Sequence, residues 1–168
     1  MFDNPVVKYN NAGKDSSSNT PYTQNKFIYA LKIGKWKYIV EFEEFPQNIF
    51  FVKFYRKKDK NSKRRFNVIY NDYESKFELT KILNVCLSIT KEHYGKNNKA
   101  SFGFIGSSSE KDRDVIRRYS LYSKFATSFF SKDKFEHYTN KEKGVYLLLN
   151  KSCNHNLAKI EDIINELI

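Results

Sequence analysis

Phe27, Tyr29, Leu31 and Ile33 stand at every second position, Gly34-Lys35 interrupts them, and Trp36, Tyr38, Val40 and Phe42 then resume the same spacing. Successive side chains of a strand point to opposite faces, so a period of two resumed across a two-residue break predicts an antiparallel hairpin with one buried face. An apolar sheet face needs a covering layer, and this pattern commits the chain to a sheet with something packed on it. Ile28 and Ile39 fall on the other face, where they either meet a helix or stay half exposed.

The remaining segments extend this sheet. After Pro46, Phe50, Val52 and Phe54 alternate with Phe51, Lys53 and Tyr55 to give a third strand, and Phe66 to Tyr70 gives a fourth. Leu79, Ile82, Leu83, Cys86, Ile89 and Thr90 recur at helical spacing within Ser75 to Tyr94, before Gly95, and His93 near that end reads as a helix-end cation rather than a catalytic base. Ala100 to Ile105 is a short apolar run, predicted as a mostly buried strand whose exit is loosened by Gly103 and Gly106. A helix is expected from near Ser109, with Val115, Ile116, Tyr119, Tyr122, Phe125, Ala126 and Phe129 on its apolar stripe. Phe135 to Tyr138 and Gly144 to Asn150 read as two further strands, the second apolar enough for the sheet interior. Leu157, Ile160, Ile163, Ile164 and Leu167 give a C-terminal helix whose aliphatic side covers the sheet or another subunit.

Asn10 to Gln24 is dense in Asn, Ser, Gly and Thr without periodicity, so residues 1–25 are read as a flexible arm, with Val6, Val7 and Tyr9 adding an edge strand or nothing. The expected fold is α+β in a single domain over 26–168: a mainly antiparallel sheet of about five to seven strands, two long helices on one face and a short C-terminal helix.

Thirty Lys and Arg against nineteen Asp and Glu give a net charge of +11 over 168 residues, which favours an anionic partner. No apolar run approaches the length of a membrane span and no signal peptide is evident, so a cytoplasmic protein without membrane attachment is expected. Cys86 and Cys153 read as free thiols, and His93, His137 and His155 are too scattered for a metal-ligand set, so neither metal nor cofactor is expected.

The charge concentrates in two places. Arg56 to Arg65, RKKDKNSKRR, opposes Arg56, Lys57, Lys58, Lys60, Lys63, Arg64 and Arg65 with Asp59 alone, and reads as an exposed hairpin loop. Beside a sheet face bearing Phe51 and Tyr55 it would clamp a phosphate backbone; the alternative is a solubilising hairpin tip. Arg113, Arg117, Arg118 and Lys124 fall largely off the stripe of the second long helix and face solvent or a partner. Gly106, Ser107, Ser108 and Ser109 lie where a strand passes into a helix, a geometry able to hold an anion, although helix capping accounts for the serines without any ligand.

The pattern FGFIGSSS followed by RRYSLYSKF resembles a group of small α+β proteins common in Bacteroidetes genomes, in which a strand ends in Gly-Ser and the next helix carries an Arg-x-x-x-Leu-Tyr motif. Gly106, Ser107, Arg117, Leu121 and Tyr122 occupy those positions. The resemblance implies a compact α+β fold and no particular activity.

Glu136 and His137 are adjacent on a strand and point to opposite faces, and no carboxylate cluster suits paired metals, so catalysis is not the expected role. The expected function is non-catalytic binding of nucleic acid, RNA before DNA, or of a nucleoprotein or nuclease complex. One specific form is a mobile-element inhibitor of a host nuclease, of the anti-CRISPR type, which the lean toward Lys, Asn, Ile, Tyr and Phe also suits. A metal-independent ribonuclease toxin and a structural or dimerisation domain remain the alternatives.

Overall fold

A computed structural model describes residues 7–15, 20–63, 65, 78–105, 113–140 and 142–167, with backbone alone at 113–119 and 121. The described residues form an α+β fold built on one seven-stranded sheet. In chain order the elements are β1 (Tyr9–Asp15), β2 (Asn25–Ile33), β3 (Trp36–Phe45), β4 (Ile49–Arg56), α1 (Glu78–Lys96), β5 (Ser101–Ile105), α2 (Arg113–Phe129), β6 (Phe135–Asn140), β7 (Val145–Asn150) and α3 (Leu157–Leu167). The strands lie in the order β1-β2-β3-β4-β5-β7-β6. Every neighbouring pair is antiparallel except β4 and β5, which run parallel, as strands separated by a long crossover containing a helix can.

The alternation at positions 27–42 forms the hairpin it predicts. Phe27 pairs with Phe42, Tyr29 with Val40, Leu31 with Tyr38 and Ile33 with Trp36. Gly34 turns the chain at φ 57°, a value that suits a residue without Cβ. These side chains join Phe50, Val52, Phe54, Phe102, Phe104, Tyr146 and Leu148 in one apolar cluster that also takes in Leu79, Ile82, Leu83, Cys86 and Ile89 of α1 and Tyr122, Phe125 and Ala126 of α2. On the other face, Phe45, Ile49, Phe51, Val145, Leu147 and Leu149 pack with Ile160, Ile163 and Ile164 of α3. The aliphatic side of the C-terminal helix therefore covers this chain's own sheet.

β4 is the middle strand and is buried along its whole length. Phe51 lies against Gly103 of β5, where any Cβ would run into its ring. Gly103 is thus not a loosened exit but a position inside a strand that must be vacant for a neighbouring ring.

Several expectations are corrected. Residues 9–15 are not part of a flexible arm: they form β1, antiparallel to β2, with a bulge between Asn11 and Lys14 where Gly13 takes φ 92°. Backbone bonding to an open edge asks little of side chains, so a polar strand can form there. Phe129, expected on the apolar stripe, is exposed, with the Lys91 ammonium 3.5 Å from its ring centroid. The strand expected over Phe66 to Tyr70 lies outside the described residues. Among the described residues no helix is long and apolar enough to cross a membrane.

Candidate nucleic-acid interface

Strand parity decides what each cation at the end of β4 can do. Phe50, Val52 and Phe54 face the large apolar cluster, so Arg56, two positions on, faces the same way, opposite Tyr38 of β3. Its Nε donates to the Tyr38 hydroxyl at 3.1 Å, its Nη2 lies 3.7 Å from Glu78 Oε1, and its guanidinium stacks 4.0 Å from the Trp36 ring centroid. Tyr38 in turn donates to Glu78 at the start of α1. Burial pushes the Tyr38 phenol well above its ordinary value, with the Glu78 hydrogen bond adding to the shift and Arg56 opposing it. Arg56 was expected in an exposed loop and is fully buried. It ties β4 to β3 and α1 and is unavailable to a phosphate.

Lys57 begins a short 3₁₀ turn, Lys57–Asp59, and this reversal carries the following residues over the second sheet face. There Lys57, Lys60, Asn61 and Arg65 line a cavity of about 400 Å³. Ile28, Ala30 and Ile39 supply its apolar wall, and Lys26, Asp15, Glu41 and Tyr55 complete it. The two isoleucines whose partner was open in the sequence thus face this hollow. Tyr55 donates to Glu41 Oε1 at 3.1 Å, and Arg65 sits 3.9 Å from the same oxygen and 5.5 Å from the Tyr55 ring centroid. Lys26 lies 3.4 Å from Asp15. The lining carries Lys26, Lys57, Lys60 and Arg65 against Asp15 and Glu41, so its balance is cationic. Lys57 and Lys60 are exposed, and their ammonium groups can meet a ligand without first losing a buried partner.

The two aromatic residues expected beside the basic loop, Phe51 and Tyr55, are both buried. Phe51 is enclosed on the α3 side of the sheet, edge-on to Phe45, and Tyr55 is 3% exposed. Both rings are consumed by packing, so neither offers a free face for a base to stack upon. Trp36 is the more accessible ring, with Lys35, Arg56 and Lys58 at 5.1, 4.0 and 4.9 Å from its centroid. Its Nε1–H is buried and finds no acceptor among the described residues.

Lys58 and Lys63 are exposed but do not line the cavity, and Arg64 lies outside the described residues. The same holds for Gly106, Ser107, Ser108 and Ser109 and for the side chains of Arg113, Arg117 and Arg118. Lys124 is exposed on α2. The parallel pairing of β4 and β5 sends both strands toward the same end of the sheet, the end from which the basic loop departs.

The histidines sit elsewhere. His93 is not a helix-end cation: it stacks on Phe42 with centroids 4.0 Å apart, its Nε2 is 2.7 Å from the Tyr29 hydroxyl, and burial lowers its pKa to about 4, so the ring is neutral at pH 7. His137 is held by the Tyr146 hydroxyl at 2.7 Å and the Phe130 carbonyl at 3.0 Å, and His155 by Ser101 Oγ at 3.1 Å. Burial lowers the pKa of both. Cys86 and Cys153 are free, and burial pushes the Cys86 thiol up to about 12. Among the described residues no group of three His, Cys, Asp or Glu side chains is placed to hold a metal ion.

Lys26 and Asn61 are lining residues that sequence reasoning missed. Lys26 had a usable signal, since it shares strand parity with Ile28 and Ala30. Asn61 had none beyond its place in the loop. Compared with family models, curated proteins and solved structures, the chain matches none.

Proposed function

We propose that this chain is a non-catalytic protein that binds the phosphate backbone of nucleic acid, RNA before DNA, alone or within a nucleoprotein. The observation that carries the reading is that the exposed Lys57 and Lys60 of the loop sit at one concave cavity, whose lining also holds Arg65 and Lys26, each ion-paired within the fold. Phosphate contacts by lysine release counterions and need no base-specific geometry, which suits the exposed Lys57 and Lys60 on a short loop. A net charge of +11 would hasten encounter with any polyanion.

The ribonuclease alternative needs a proton-moving group beside the phosphate. Of the titratable groups at the cavity, Tyr55 has its phenol pushed up by burial and by Glu41, so it stays protonated at neutral pH and is a poor base. None of the three histidines lines the cavity.

Retention of labelled single-stranded RNA and DNA, measured at rising salt for the native chain and for Lys57→Gln with Lys60→Gln, tests the proposal. The double variant should lose affinity and show a shallower dependence of log K on log salt. Absence of retention at low salt, or an identical slope for the two proteins, would sink it.

A further inference from the structure

A second hollow, of about 440 Å³, opens beside β1 and β2, and Lys8, Lys32 and Lys81 line it with Asn10 and the Gly34 turn. Three separate elements bring the lysines together: Lys8 precedes β1, Lys32 lies on β2 and Lys81 is near the start of α1. No Asp or Glu is among its described lining residues, in contrast to the loop cavity with Asp15 and Glu41. Ammonium groups gathered without a carboxylate repel one another, and a bound anion removes that repulsion.

Ala30 of β2 is common to the linings of both hollows. We infer that the lysine hollow is a second phosphate subsite, and that the two hollows together form a track for single-stranded nucleic acid. The inference rests on the proposed function and adds to it the residues of the second site and the form of the ligand. A flexible strand can place successive phosphates in adjoining concavities, whereas a duplex presents its phosphates on a stiff convex surface. Both volumes lie within the range of small-ligand sites, which suits one or two nucleotide units apiece.

Lysine acetylation of the native chain, followed by mass spectrometry with and without an oligouridylate, reads the track directly. Lys8, Lys32 and Lys81 should be protected together with Lys57 and Lys60, while Lys99, Lys134 and Lys151, which line a hollow elsewhere, keep their reactivity. In parallel, Lys8→Gln with Lys32→Gln and Lys81→Gln should lower affinity on the order of a hundredfold near 0.1 M salt and reduce the log–log salt slope by about 2. Protection of the loop lysines alone, or an unchanged slope in the triple variant, overturns the second subsite and leaves the proposed function standing. Equal protection of every lysine overturns the track, because it means diffuse attraction. Failure of the native chain to bind the oligouridylate overturns both.

Discussion

Arg56 and Lys57 are adjacent and carry the same charge, yet the fold gives them opposite work. Arg56 is sealed between Trp36, Tyr38 and Glu78, and holds β4 to β3 and to the start of α1. Lys57, one peptide later, is exposed and lines a cavity on the opposite face. Position along a strand, more than residue type, decides whether a cation becomes an internal brace or an exposed charge.

The contrast breaks most severely at the brace. Arg56→Met leaves Glu78 buried without its guanidinium and should cost about 3–5 kcal/mol in chemical denaturation, while pairing it with Glu78→Leu should restore much of the loss. A double variant no more stable than the single one would mean that Arg56 acts by its packing on Trp36 rather than by charge. Gly103→Ala asks whether the apolar middle of the sheet is as unforgiving. A methyl driven into the Phe51 ring should cost about 1–3 kcal/mol, read from the denaturation midpoint.

His93 supplies a pH test of the buried side. Its folded pKa of about 4 lies below its ordinary 6.5, so between those values the unfolded chain binds more protons than the folded one. Stability is fully present above about pH 6.5 and falls as pH drops toward about 4. Melting temperature followed across this window should decline, and His93→Gln should decline less steeply. At the other extreme, Lys57→Gln with Lys60→Gln should shift stability by under about 0.5 kcal/mol, since it removes exposed charges from a surface turn. A large drop in its melting temperature would erase the distinction between brace and contact.

The sequence was most legible where one physical rule governs many residues. The hairpin, the buried run of β5 and the aliphatic stripe of α3 follow from period and polarity alone. Arg56 was misread because a run of charge suggests a loop, although parity with Phe50, Val52 and Phe54 already placed it on the core side. β1 showed only at its start, where Tyr9 had suggested an edge strand, because the rest of YNNAGKD joins the sheet through its backbone. The cavity was hidden for a different reason: the return of Arg65 over Tyr55 and Glu41 is a long-range contact that no local periodicity encodes. The basic composition of its rim and the strand parity of Ile28, Ile39 and Lys26 could be seen in advance, but not their meeting with the loop.

The polar, bulged strand at the sheet's edge bears on how this protein behaves when crowded. An open strand is a template on which another chain can add, and long, flat, apolar edges are the dangerous ones. Here the outer strand is interrupted at Asn11 and Lys14, exposes most of its residues and is preceded by Lys8. A second copy approaching in register would meet a break in its hydrogen-bonding row and its own positive charge, so this border discourages fibril-like stacking while Lys8 and Lys14 stay exposed to solvent.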